Sequence, residues 1–431
     1  MRQREIYSMR FDKMTKAELS DALKSEQARY DALKSKGLKL NMSRGIPSLE
    51  QLALSKEFFH NVDFENAFAE DGTDCRNYGV PFGLPELRKL FAGIMGADAD
   101  NVIIGGNSSL NLMFDMISQA MLLGIGGEPW MKQGKVKFLC PVPGYDRHFK
   151  VCETLGIEMI NVPMTVQGPD MDAVEKLVAS DDMIKGMWCV PKYSNPQGYI
   201  YSDETVKRLA SMKTAAADFR IFWDNAYVVH SLYGDDQLAS IIDECAAAGS
   251  PDRLIVFAST SKIVYAGAGV SAVASSADNM KLIKARITTQ TIGPDKVNEL
   301  RHARMFKTEA ELKAHMEKHA AILRPKFEAV IEVFEKELGG TGLAEWTNPR
   351  GGYFISVDTL DGCASETVAM CKDAGVIFTP AGATYPYSKD PSDKNIRIAP
   401  TSPSVDELKM AMELFCIALK IISAKKIIEN A

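Results

Sequence analysis

At 431 residues the chain exceeds the size at which one hydrophobic core keeps growing, so two packed units are expected, and 46% hydrophobic with 25% charged residues excludes global disorder. A net charge of -6 with dispersed lysines and arginines argues against nucleic acid as a partner, and eight scattered cysteines without a CxxC pair or zinc spacing argue against a metal site. The N-terminus lacks an apolar signal core and no run approaches the ~20 residues that cross a bilayer, so a soluble cytoplasmic protein with no membrane contact is expected.

Residues 14–37 are rich in Lys, Glu, Ala and Leu and meet no Gly or Pro before Gly37, which predicts a helix closed by that glycine. Between about 48 and 290, short apolar runs alternate with longer helical stretches. VIIGG, VKFLCPVP, GMWCVP, FRIFWDNAY and RLIVFAST are the predicted strands. Such alternation predicts an α/β fold with a mostly parallel sheet flanked by helices, whose ligands sit at the carboxyl ends of strands.

From Pro294 to about Leu338 the sequence is charged and helix-prone, with a kink expected where Pro325 removes a backbone donor. The remainder predicts strands in GGYFISVD, GVIFTPAG and NIRIAP and a closing amphipathic helix in SVDELKMAMELFCIALKIISAKK. The resulting division is a large domain over 48–295 and a smaller α+β domain made of 1–47 and 296–431.

Each strand exit offers a different chemical group. GGNSSL follows an apolar run and opens a helical stretch, so Gly106, Asn107 and Ser108 would present backbone and hydroxyl donors where phosphate binds; alone, a glycine pair there is an ordinary turn. Asp224 follows the buried-looking run IFW, where a charge needs a cation or strong donor, although an isolated strand-end Asp commonly caps the next helix. Lys262 follows LIVFA and hydroxyl residues; a lysine held against apolar surface becomes nucleophilic and can form a Schiff base, whereas most strand-end lysines are solvated.

Taken together, the order of phosphate loop, PVPGYD, SNPQG, DNAY and STSK resembles the fold type I pyridoxal-phosphate enzymes of the aspartate aminotransferase family, over nearly the whole chain. SRGIPS, STSKIVYAGAG and NIRIAP add a likeness to its divergent type Ic subgroup. The resemblance implies pyridoxal 5′-phosphate as cofactor, with Lys262 as its Schiff-base lysine, Asp224 beside the pyridinium nitrogen, and Asn195 and Tyr227 as donors to the phenolic oxygen. It further implies Tyr145 stacked on the ring, Gly106, Asn107, Ser108 and Ser259 around the phosphate, and Tyr78 reaching the phosphate of a neighbouring subunit. A homodimer with shared active sites follows from that last role.

Arg397 matches the arginine that clamps the substrate α-carboxylate, with Gly45 and Asn195 in the same substrate set. The family usually carries a phosphate-binding arginine in GxRxG after the lysine, but this chain has GAGVS, with Gly269 at that position; Arg44 or Lys192 are candidate replacements. The implied reaction moves an amino group from an amino acid, aspartate foremost, to a 2-oxo acid such as 2-oxoglutarate. A dicarboxylic donor needs a second cation, for which Arg147, two residues past Tyr145, is the first choice and Arg44 the second.

Other readings use the same residues differently. Fold type I also hosts β-elimination and decarboxylation. A transcription regulator with an aminotransferase-like domain would need a DNA-binding domain that the first 45 residues do not contain. A nucleotide-binding role lacks both GxxxxGK[ST] and a suitably placed GxGxxG.

Overall fold

The computed structural model of the protein describes residues 10–234 and 236–430. In chain order the strands are β1 (Leu40–Asn41), β2 (Val102–Gly105), β3 (Lys137–Val142), β4 (Glu158–Thr165), β5 (Gly168–Pro169), β6 (Ile184–Cys189), β7 (Arg220–Asp224), β8 (Leu254–Ser259), β9 (Ser271–Ser275), β10 (Ala344–Trp346), β11 (Ile355–Thr359), β12 (Val376–Ile377) and β13 (Asn395–Ile398).

The principal sheet has the order β2-β9-β8-β7-β6-β3-β4-β5. Strands β2, β3, β4, β6, β7 and β8 run in one direction, while β9 is antiparallel to both of its neighbours and β5 to β4. The central strands are buried on both faces, so they read in the sequence as unbroken apolar runs and lie between two large apolar clusters. The SAVAS strand β9 escapes periodicity because its small residues fit between helices without an alternating pattern.

A second unit forms around the antiparallel sheet β10-β11-β13, with β1 paired in parallel to β12. Its core joins Tyr30, Leu33 and Met42 to residues from about 320 to 422, with Tyr193, Tyr227 and Leu232 packed into the same cluster, and the N-terminal helix packs on the C-terminal one. The first nine residues assigned to this unit by sequence lie outside the described ones.

The first helix spans Lys16–Lys34 and starts at a capping box between Thr15 and Glu18. It ends three residues before Gly37, which takes a positive φ in the turn beyond. Pro325 does not end the long helix Glu309–Leu338. Pro325 and Ala321 are both exposed, so the carbonyl that loses its donor faces water, which can satisfy it.

Candidate active site

Because the parallel strands share a direction, β2, β3, β6, β7 and β8 deliver their exits to one edge of the sheet. The cleft there encloses about 610 Å³ and is lined by Ser108, Tyr145, Asn195, Asp224, Tyr227, Ser259 and Lys262, among others. That size suits a small-molecule site.

Lys262 extends from the loop after β8. Its Nζ lies 5.0 Å from the centre of the Tyr227 ring and 5.7 Å from that of Tyr353. Burial of the amine holds its pKa below the ordinary lysine value against the opposing pull of Asp224. In the turn after β7, buried His230 donates its backbone N–H to the Tyr227 carbonyl; burial and the nearby Lys262 push its pKa down to about 3.

Asp224, the last residue of β7, is only 2% exposed. Its Oδ2 pairs with His148 Nε2 at 3.0 Å, while Oδ1 is buried with no hydrogen-bond partner. A buried carboxylate oxygen left in this state calls for a donor from the cleft. His148 stacks on Trp188 at 4.1 Å and meets Tyr145 edge-on at 4.9 Å, so one imidazole links three side chains of the site.

Asn195 lies after β6 and accepts a hydrogen bond through Oδ1 from Arg397 Nη1 at 3.2 Å. Arg397, in the middle of β13, is 7% exposed, donates from the same nitrogen to Asp146 Oδ1 at 2.9 Å, and stacks 4.8 Å from the Phe354 ring. Gly45 belongs to this end of the cleft: a Cβ there would stand 2.6 Å from Phe354 Cζ, so only glycine lets the chain pass.

On the opposite side, Ser108 caps the helix Ser109–Leu123 by accepting from Leu110 N. Ser261 donates to the Asn107 carbonyl and Ser259 to Ser261, while Ser271 donates to the Gly106 carbonyl. A helix N-terminus ringed by hydroxyls is a ready anion site. At Gly269, a Cβ would come within 3.0 Å of the Asn107 carbonyl. The β9 approach is therefore packed against the phosphate-type loop, and a long side chain at that position has to turn away or displace it.

Four of the residues singled out by sequence lie elsewhere. Arg147 is about half exposed and faces a neighbouring groove with Leu110, Asn111, Phe114 and Lys150. Lys192 lines a different cavity with Trp223 and Asn225. Arg44 is exposed beside Gly45 and is not among the residues lining the Lys262 cleft. Tyr78 is 82% exposed, outside the cleft of its own chain.

Sequence reasoning missed His148, Asp146, His230 and Tyr353. A signal for His148 existed in the spacing YDRH, which puts Tyr145 and His148 three residues apart, one helical turn, at the start of the helix Asp146–Thr154. Nothing in the sequence pairs Asp146 with Arg397, 251 residues away.

A mostly parallel α/β sheet, a cleft at its carboxyl edge holding Lys262 and Asp224, and a second unit supplying Arg397 define a fold type I enzyme. A family model for aspartate amino-transferase matches residues 14–431, and the chain belongs to that family. The aspartate aminotransferase of Corynebacterium glutamicum is 48% identical over 390 residues, covering 89% of this chain and 90% of that one. A crystal structure of an aspartate transaminase from that organism superposes with a TM-score of 0.95 at 44% identity, over 97% of this chain and all of that one.

The α-aminoadipate aminotransferase of Thermus thermophilus, solved with N-(5′-phosphopyridoxyl)-L-leucine, shares the fold at a TM-score of 0.72 and 18% identity, over 92% of this chain and 95% of that one. The protein is an aminotransferase, transferring an amino group between an amino acid and a 2-oxo acid. Among the described residues, no helix is long and apolar enough to cross a membrane.

Proposed function

We propose that the protein is an aspartate aminotransferase that passes the amino group to a 2-oxo acid such as 2-oxoglutarate, using pyridoxal 5′-phosphate held in the Lys262 cleft. One observation carries the cofactor reading: a desolvated lysine and a buried carboxylate with an unpartnered oxygen line the same cleft. The C. glutamicum relative's name supports aspartate as donor.

Pyridoxal phosphate supplies an electron sink for negative charge developing at the substrate α-carbon. Asp224 Oδ1 would accept from its protonated ring nitrogen, with the His148 contact fixing the carboxylate's orientation. Asn195, whose Oδ1 is taken by Arg397, keeps its amide N–H groups for the phenolic oxygen, together with the Tyr227 hydroxyl. Tyr145 would stack on the ring, and Gly106, Asn107, Ser108 and Ser259 would hold the phosphate, hydroxyls and the helix N-terminus standing in for the arginine replaced by Gly269.

The Lys262 amine, kept from ready protonation by burial, then moves the proton at the α-carbon. Arg397 receives the α-carboxylate, and Gly45 gives room for it. Arg147 as the cation for the distal carboxylate requires its side chain to swing in from the neighbouring groove.

The large unit is assigned to 48–295, and the small one to 1–47 with 296–431. Tyr78, exposed in its own chain, would serve the phosphate site of a second subunit in a cytoplasmic homodimer. Mixing a Lys262→Ala chain with a Tyr78→Ala chain, each inactive alone, tests this: restored activity on mixing supports shared sites, and none opposes them.

The function itself is tested by the visible absorbance of the purified protein during titration with aspartate, glutamate, alanine and kynurenine. Loss of the bound cofactor's band with aspartate, and amino transfer to 2-oxoglutarate, are the expected results. Release of pyruvate and ammonia from a cysteine-like substrate, without amino transfer, would instead indicate β-elimination.

A further inference from the structure

Arg397 is already partnered before any substrate arrives. Its Nη1 donates to Asp146 Oδ1 at 2.9 Å, a charge-assisted contact, and to Asn195 Oδ1 at 3.2 Å. Its Nε is buried without a partner. Asp146 is the first residue of the helix Asp146–Thr154, between Tyr145 and Arg147, and its side chain is about one-third exposed. Its second oxygen, Oδ2, stands 3.8 Å from Arg147 Nε, on the outer side of the helix. One carboxylate thus bridges a buried cation facing the cleft and an exposed cation facing solvent.

We propose that Asp146 is a built-in counter-anion that a substrate carboxylate must displace from Arg397, a specificity-determining residue for the same site; this rests on the reading of Arg397 as the α-carboxylate clamp. In the empty site Asp146 neutralises a guanidinium that would otherwise be buried unpaired at a large cost. An incoming α-carboxylate competes for the charge that Asp146 holds. The displaced carboxylate stays beside Arg147, close to water, so its release carries little desolvation cost. A simple amine brings no anion to make this exchange, so Asp146 tempers the binding of carboxylate ligands alone.

Removing the charge of Asp146 while keeping its shape should therefore tighten carboxylate binding. The test uses the cofactor-loaded Asp146→Asn protein, with succinate and propionate as non-reacting dicarboxylate and monocarboxylate probes, and their Kd read by spectral titration. Roughly three- to tenfold tighter binding of both probes is expected, the factor appropriate to a partly exposed ion pair. Asp146→Ser gives a second measurement that does not depend on how an amide sits against Arg397.

Unchanged or weaker affinity in both variants overturns the proposal; weaker affinity would make Asp146 a positioning residue that holds Arg397 in place. Failure of the underlying reading is separable, because the wild-type protein would then take up no cofactor or bind neither probe.

Discussion

His148 Nε2 stands 3.0 Å from Asp224 Oδ2, and the imidazole is fixed in that position by stacking 4.1 Å from Trp188. Asp224, which lines the cleft, is thus held from one side by a ring that is itself held, while its other oxygen has no partner. Replacing His148 by Phe keeps the stacking and removes the donor. It is expected to lower kcat by about tenfold to a hundredfold with a smaller change in KM, the size of one lost charge-assisted hydrogen bond. Steady-state kinetics with aspartate checks this, and an equal loss in every binding parameter with unchanged kcat would contradict it.

On the proposed reading, Lys262→Ala should lower turnover at least about a thousandfold, because one amine would both carry the cofactor and move the proton. The lowered pKa of this buried amine has a second consequence. In the cofactor-free protein, uptake of the aldehyde should accelerate as pH rises through a midpoint below that of an ordinary lysine. Stopped-flow absorbance against pH measures that midpoint. Because the folded amine binds its proton less tightly than the unfolded one, cofactor-free Lys262→Met should also unfold at a higher temperature than the parent at neutral pH.

Arg397→Lys should raise KM for the amino donor about tenfold to a hundredfold, since an ammonium cannot offer the planar fork that reaches Asn195, Asp146 and a carboxylate together. Arg147→Ala separates substrate classes: a KM increase for aspartate much larger than for alanine or an aromatic amino acid supports a distal-carboxylate role, and equal changes remove it.

Glu299 gives a stability prediction away from the cleft. It is buried under the Gly83 turn, accepts from Leu84 N at 2.7 Å, and burial pushes its pKa from 4.5 up to about 8. Its carboxyl is protonated in the folded protein where the unfolded chain has already ionised, so stability falls as pH rises from about 4.5 to about 8. Glu299→Gln should remove about 2–4 kcal/mol of that fall. Urea midpoints across this range test it; identical slopes in both proteins would contradict it.

In the second unit, Lys420 is fully buried between Glu337 at 2.7 Å and Glu26 at 3.6 Å, with Arg29 also on Glu26 and Glu337. Lys420→Ala leaves two buried carboxylates with less positive charge and should cost about 3 kcal/mol in denaturant unfolding. Activity per folded molecule should be nearly unchanged.

The sequence by itself determined much of this protein, because local chemistry writes itself locally. The parallel strands appear as apolar runs since both faces are buried, and each run ends in the polar group that its exit presents: Ser108, Asn195, Asp224 and Lys262. The first helix was legible in composition, though its end at Lys34 was not, because a glycine marks a permitted turn without dictating where the helix stops.

What only the tertiary structure decided are the partners that no spacing encodes. His148 meets Asp224 across 76 residues, Asp146 meets Arg397 across 251, and the small-residue strand β9 enters the sheet beside the phosphate-type loop. The direction of an individual side chain was equally closed to sequence: Arg147 and Asp146 are adjacent, yet one faces an outer groove and the other the buried arginine. Pairwise contacts of this kind depend on how helices and strands dock, and docking is set by the summed packing of the whole chain.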